Sequence, residues 1–437
     1  MPTCSKPKPS TTGEGLPARG AGMERFRAGE LLLYCLRVGP HEAGDSRLEA
    51  LSSPDWNVLI EESGRHGVAP LLYDRLRTFQ SHIPIPAGVM ARLRRIYLQS
   101  AARAMRMHHE LGKVLGVLRQ ARIPVIALKG AHLATHVYGN MALRPMGDVD
   151  VLVHEDDLMR VEAALLGLGY VPADRHRQIA KDKCDFGYGL PNGELFVEVH
   201  WNFLPSTYRF KIDLDGQWER SRHAAIAGVE VSVLCPEDLL LYLCLHASKH
   251  LFEMGLKPLC DIVETIRCHG KEIDWKQVVL RSEQSGEAKC AYLTFRLARE
   301  LLGAAVPDDL MQFIKPGDFD ERFAVMARER VFAYGHRNAD DLGFSRNIAQ
   351  IWGPGRLWDK GALILRRAFP SPDEMARRYP APSDSMRIYL YYPVRIKDLL
   401  MRHGGHVWRL LRRNEAMRAL AGQANEMTAL KEWLMSP

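Results

Sequence analysis

The stretch LKGAHLATHVYGNMALRPMGDVDVLV, Leu128–Val153, decides how this chain folds. It begins at the end of an apolar run, Ile123–Leu128 (IPVIAL), opened by Pro124 and closed by Lys129-Gly130, which has the length and bounds of a buried strand. A helix is predicted around His132–Tyr138. The stretch ends in DVDVLV, Asp148–Val153, where acid and aliphatic residues alternate with the period of a half-buried strand. That period sets Asp148 and Asp150 on one face and turns Val149, Val151 and Val153 toward a core. Further along, Glu155–Gly167 has helical spacing and stops at Gly167 and Gly169, and Tyr170-Val171 opens another strand. Asp185–Leu190 and Glu194–Phe203 flank Asn192-Gly193, the signature of a hairpin turn. Strand, helix, strand, helix and hairpin make a compact α/β unit over roughly 123–235.

The flanks have a different texture. Residues 1–22 are rich in Pro, Ser, Thr and Gly and read as a disordered tail. Residues 23–122 carry apolar side chains at helical spacing, from Leu31, Leu32, Cys35 and Leu36 to Leu111, Val114, Leu115 and Leu118. After Cys235, Pro236-Glu237-Asp238 starts a helix running to about Phe252. More helices follow, giving a helical segment over 236–370. The last segment, 371–437, is helical and basic, with Tyr389, Tyr391, Tyr392 and Trp408 among Arg395, Lys397, Arg402, Arg409, Arg412 and Arg413. The whole is expected to be an α+β protein whose mixed core is embedded in mainly helical N- and C-terminal units.

Composition narrows the function. With 46% hydrophobic and 25% charged residues over 437, the chain is an ordinary globular protein, and wholesale disorder is excluded. The formal charge of +7 permits phosphate-bearing partners but falls short of the imbalance typical of a nucleic-acid specialist. No apolar run reaches the roughly 18–20 residues of a membrane span, and the first residues have no secretory core, so the expected location is cytoplasmic. Eight cysteines show no metal-ribbon spacing and read as reduced core thiols.

Two carboxylates on one strand face repel each other unless a cation neutralises them. Oxygen ligands at this spacing suit Mg²⁺ or Mn²⁺, which complete their shells with water and substrate phosphate. A third acid is available in ELFVEVHWNF, Glu194–Phe203, where Phe196, Glu198 and His200 share one face. If that strand lies beside Asp148–Val153, Glu198 completes a three-carboxylate site able to activate a hydroxyl and clamp a triphosphate. Without a cation, the same acids are the solvated faces of edge strands. Lys129-Gly130 ends a strand and turns into a helix, an arrangement that aims backbone N–H groups at a phosphate. Lys129 and Arg144 add positive charge for an NTP, although Arg144 also has the alternative of pairing with an acid of the site.

Together, Lys129-Gly130, Tyr138, Arg144 and Asp148-Val149-Asp150 resemble the signature of an uncharacterised bacterial nucleotidyltransferase family within the DNA polymerase β-like superfamily. Val197–Trp201 (VEVHW) is similar to its third-acid strand. Asp55-Trp56, His66–Leu72 (HGVAPLL), Pro236–His250 and Leu259–Asp261 resemble its flanking helical units. The resemblance implies a polymerase β-like core with metal-binding, catalytic acids at Asp148, Asp150 and Glu198. It also implies transfer of an NMP from an NTP such as ATP to an acceptor hydroxyl, with Mg²⁺ and release of pyrophosphate. Where the wider superfamily carries Gly-Ser in the helix-capping loop, this chain has Lys129-Gly130. Two alternatives stand beside this expectation: a non-catalytic nucleotide-binding protein on the same fold, and a nucleic-acid-modifying nucleotidyltransferase.

Other residues are candidates on weaker grounds. His246, Lys249 and His250 share a helix face. Lys249 is placed near phosphate, and a zinc site at the two histidines would need Asp261 or His269 as a third ligand. His200 either hydrogen-bonds a metal ligand, acts as a base near the acceptor, or packs, and Trp201 points to the core. The basic C-terminal helices either meet an anionic membrane surface or nucleic acid, or form a solvated face over buried Tyr and Trp.

Overall fold

The structure, a computed structural model, describes residues 19–38, 46–79, 84–173, 183–193, 195–334, 369–376, 379–382, 384–398 and 425–436. Contacts divide the chain into two compact units, Met1–Gly335 with Trp433–Pro437, and His336–Glu432. The first carries the sheet. Its N-terminal part is helical: α1 (Arg19–Leu36), α2 (Ser46–Glu49), α3 (Ser53–Arg65), α4 (Ala69–Phe79) and α5 (Ala87–Gln120). The α1 backbone is helical from Arg19, and residues 1–18 lie outside those described. Helix α3 starts as its sequence requires. Ser52 caps it, accepting the Asp55 N–H, while the Asp55 carboxylate accepts the Ser52 N–H, a reciprocal capping box.

A mixed sheet follows, built from β1 (Ile126–Ala127), β2 (Val149–Leu152), β3 (Val171–Pro172), β4 (Asp185–Gly189), β5 (Phe196–His200), β6 (Arg222–Ile226) and β7 (Val229–Val233). Their spatial order is β3-β4-β5-β2-β1-β7-β6. The β2/β5 and β1/β7 pairs are parallel and the other pairs antiparallel. The Asn192-Gly193 hairpin forms as its sequence indicates, with Gly193 at φ +72° between β4 and β5. Strand β1 is shorter than the apolar run, because Pro124 has no N–H to give a ladder.

Helix α6 (Lys129–His132) begins directly after β1, earlier than the His132–Tyr138 expectation, and continues as one π turn over Leu133–Val137. Beyond β2 come α7 (Leu158–Gly167) and, after β5, α8 (Leu214–Glu219). The alternation in β2 and β5 does what the period predicts. Val149, Val151, Val153, Val197 and Val199 join Met107, Leu111, Val114 and Leu118 of α5, with Val161 and Leu165 of α7, in one core on one face of the sheet. Trp201 is in that core, against Phe186.

A helical array completes the first unit: α9 (Pro236–Lys249), α10 (Lys257–His269), α11 (Trp275–Ser285), α12 (Ala288–Leu302), α13 (Asp308–Phe313) and α14 (Glu321–Ala333). No described helix is long and apolar enough to cross a membrane. The described cysteines are free, and all but Cys268 are buried. In the second unit Met375, Ala381 and Ile388 form a small core with Tyr379, Tyr391 and Tyr392 packed on it. Arg402, Trp408, Arg409, Arg412 and Arg413 lie outside the described residues.

One buried acid in the helical array gives a stability prediction. Glu287 precedes α12 and accepts the Ser285 hydroxyl at 2.6 Å, while burial pushes its carboxyl from 4.5 up to about 7. The folded chain therefore holds a proton that the unfolded chain releases between those two values. Stability falls as pH rises through that window and is flat above it. Glu287→Gln is expected to remove this slope and to stabilise the protein near pH 8 by on the order of 2–3 kcal/mol. Urea midpoints of both proteins near pH 5 and near pH 8 measure it.

Candidate active site

The acid-bearing face of the sheet is set by one register. In the parallel β2/β5 pair Asp150 lies directly opposite Glu198, and Leu152 opposite His200. Across the antiparallel β4/β5 pair the neighbour of Glu198 is Gly187. A Cβ at that glycine would stand 2.5 Å from the Phe196 ring, so it is the Phe196 ring that fills the space beside Gly187. Ligand atoms of Asp150, Glu198 and His200 all fall within 4.8 Å of one another. His200 Nε2 is 3.2 Å from Asp150 Oδ1 and 3.8 Å from Glu198 Oε2.

Lys129 is delivered by the neighbouring strand. Because β1 runs antiparallel to β2, with Ala127 opposite Val151 and the Leu128 N–H bonded to the Asp150 carbonyl, the next residue arrives beside Asp150. Lys129 Nζ sits 3.0 Å from Asp150 Oδ1. Asp150 is wholly buried. Burial alone would push its carboxyl up, but the Lys129 charge and the His200 hydrogen bond outweigh burial and hold it well below the usual carboxylate range. Lys129 is held above its ordinary value in turn; burial opposes its charge, and Tyr242, Asp150 and Asp148 override burial. Asp150 Oδ2 is buried with no hydrogen-bond partner, an exception among buried polar atoms.

Asp148 is half-buried and precedes β2 rather than lying within it. It is not in the cluster of convergent ligand atoms, although its charge acts on Lys129, Tyr242 and Lys257. The reason is local. The chain from Arg144 to Asp148 folds over Gly130, where a Cβ would stand 3.4 Å from the Asp148 carbonyl and from Met146 Sδ.

Arg144 has a different employment from a phosphate grip. Its Nε and Nη2 donate to the two oxygens of Asp261 at 2.8 and 2.7 Å, and the Tyr138 hydroxyl donates to Oδ1 at 2.9 Å. All three groups are buried, so this triad ties the loop before β2 to α10. It also consumes Asp261, one of the two candidate third ligands for a zinc site at His246 and His250. His246 is half-buried and stacks edge-on against His250 at 4.8 Å, but neither belongs to a metal-binding group among the described residues. Burial and the nearby Lys129 charge keep His246 neutral, well below its ordinary value. His269 lies 3.8 Å from Glu272 instead. Lys249 donates to the Phe203 carbonyl at 3.4 Å and sits 3.9 Å from Cys184 Sγ.

One cation escaped the sequence reading. Lys257 opens α10 and makes no ion pair among the described residues. Burial and then the Arg144 charge push it below its ordinary value, against the pull of Asp261 and Asp148. Gly67, at φ +68°, lies against its stem, with a Cβ position 3.6 Å from Lys257 Cδ. The HGVAPLL run and the start of α10 thus meet at the site's edge. Only the glycine of HGVAPLL hinted at this, by marking a close approach.

Residues 52–303, more than half of the chain, match the family described as uncharacterised nucleotidyltransferase. The chain belongs to this family. As a nucleotidyltransferase it has an NTP as its implied substrate, and the α+β sheet flanked by helices agrees with such a core. Among solved structures, the solution structure of the antibiotic-resistance factor ANT(2'')-Ia is similar to the nucleotidyltransferase chain. The identity is 16% and the TM-score 0.28, over 42% of this chain and 90% of that one. No curated protein matches.

Proposed function

We propose that this nucleotidyltransferase moves an NMP from an NTP to an acceptor hydroxyl and releases pyrophosphate with the help of Mg²⁺ or Mn²⁺. The observation that carries the reading is the register of β2 and β5, which sets Asp150 against Glu198 with one buried Asp150 oxygen unpartnered. A donor set of two carboxylates and an imidazole fits a divalent cation. When bound, that cation supplies charge for the phosphates and lowers the pKa of the attacking hydroxyl.

The chain's own groups do the rest. Asp150 and Glu198 would hold the cation, with Asp148 bordering it. Lys129 keeps Asp150 ionised, so the site is charged at any ordinary pH. Lys129 and Lys257 supply positive charge for the triphosphate, a role Arg144 leaves open by its commitment to Asp261. His200 orients Asp150 through its hydrogen bond.

The test is metal-dependent pyrophosphate release from a panel of α-labelled NTPs in cell extract, with the labelled acceptor isolated. Binding of NTP without release, across a broad acceptor panel, would favour a non-catalytic nucleotide-binding protein. Binding of RNA that falls steeply with salt would favour a nucleic-acid acceptor. Lys257 has its own prediction. Lys257→Ala should weaken binding of a non-hydrolysable NTP analogue by about tenfold, or ~1.4 kcal/mol, with the urea midpoint unchanged. Isothermal titration in Mg²⁺ measures it, and wild-type affinity would remove Lys257 from the phosphate site.

A further inference from the structure

Two donors at the edge of the acid centre, Cys184 and Asp185, take no part in the transfer reaction and share His200 with that centre. Cys184 Sγ, an Asp185 carboxylate oxygen and a His200 ring nitrogen lie within 4.8 Å of one another. The β4/β5 hairpin puts them there. Asp185 is directly opposite His200, and the Cys184 carbonyl accepts the Trp201 N–H one step further along the ladder. Cys184 is 2% and His200 7% exposed, so two of the three are deeply buried.

The spacing is that of ligands around one small ion. The Cys184 thiol donates to Asp185 Oδ2 at 3.5 Å, so a cation that replaces this proton meets the two atoms already at ligand spacing. Sulfur and oxygen bound to one tetrahedral Zn²⁺, at about 2.3 and 2.1 Å, stand about 3.5 Å apart. A second observation is independent of that distance. His200 engages Asp150 through Nε2, yet its Nδ1 is buried with no hydrogen-bond partner. A buried ring nitrogen without a partner is costly, and ligation satisfies it.

We propose that Cys184, Asp185 and His200 form a site for a thiophilic divalent cation, with Zn²⁺ preferred and a fourth position left for water. Thiolate and carboxylate balance the double charge, and the imidazole binds neutral. On binding, the Cys184 thiol gives its proton to solvent and forms an S–Zn bond, with no change of oxidation state. Sulfur discriminates against Mg²⁺ and Mn²⁺, so this site is chemically distinct from the oxygen-rich centre next to it. Lys249, 3.9 Å from the sulfur, is placed to donate to the bound thiolate. The ion would pin β4 to β5 at the end where Glu198 and His200 project.

Co²⁺ is the reporter, titrated into the full chain in a large excess of Mg²⁺. One equivalent is expected to give the near-ultraviolet sulfur-to-cobalt charge-transfer band, reversed by Zn²⁺. Cys184→Ser should abolish the band, and Cys268→Ser, which removes the exposed described cysteine, should leave it intact. Asp185→Asn should weaken Co²⁺ binding at least about tenfold, or ~1.4 kcal/mol. No band in the wild type, or a band that survives Cys184→Ser, overturns the site. If Cys184→Ser does not fold, His200→Gln decides, because retention of the wild-type band in that variant overturns the site equally. None of these readings depends on nucleotidyl transfer.

Discussion

Asp150→Asn is expected to release no measurable pyrophosphate and, at the same time, to lower stability by about 3 kcal/mol. Two adjacent repelling acids would have predicted the opposite sign for stability, since removing one charge relieves repulsion. The structure reverses the sign because Asp150 is not balanced against Asp148. It is the buried partner of the Lys129 ammonium at 3.0 Å and of His200 at 3.2 Å. Neutralising it leaves a nearly buried ammonium without its counter-charge, the costly half of a broken buried pair. Glu198→Gln provides the contrast, because Glu198 is partly exposed and lies 3.8 Å from His200. It should keep the wild-type urea midpoint and NTP affinity within about tenfold, a shift of ~1.4 kcal/mol, while turnover collapses. Urea titration, isothermal titration with an NTP analogue and pyrophosphate release separate these outcomes. An Asp150→Asn protein that turns over NTP with Mg²⁺ would sink the assignment of the acids.

Asp261→Ala is expected to be the most destabilising single change among the site's neighbours, by about 3–5 kcal/mol. It strands the Arg144 guanidinium, which is 5% exposed and spends two nitrogens on this carboxylate. It also removes the acceptor of the Tyr138 hydroxyl. Tyr138→Phe should cost only about 1 kcal/mol, the worth of one hydrogen bond. The two variants therefore rank the ion pair against the hydrogen bond, and thermal unfolding reads both. An Asp261→Ala protein as stable as wild type would mean that Arg144 is free to face solvent, and the triphosphate role would return to it.

Comparing these residues shows where local sequence information ends. The period-2 alternation of DVDVLV and ELFVEVH is a property of neighbouring residues, so the chain itself reveals which valines enter the core and which acids do not. The Asn-Gly turn is equally local and names its own conformation. The sequence by itself therefore determined the strands of the site, their two faces and the identity of Asp150 and Glu198 as face partners in waiting. It could not determine that β2 and β5 lie side by side, parallel and in register. That pairing depends on packing between segments separated by α7 and a hairpin, and a slip of one residue would have sent Glu198 to the other face.

Charge partners were decided by tertiary structure alone. Lys129, Arg144 and Lys257 are all cations near the acid-bearing site, and composition makes them equivalent. Burial separates them: a desolvated cation has to be matched by whichever carboxylate the fold brings within reach. Asp150 reached Lys129, Asp261 reached Arg144 from a distant helix, and Lys257 has no ion-pair partner among the described residues. The same holds for Cys184 and Asp185, which in sequence are ordinary residues at the start of a strand. They gain a common focus with His200 only because the antiparallel ladder sets Asp185 opposite that histidine.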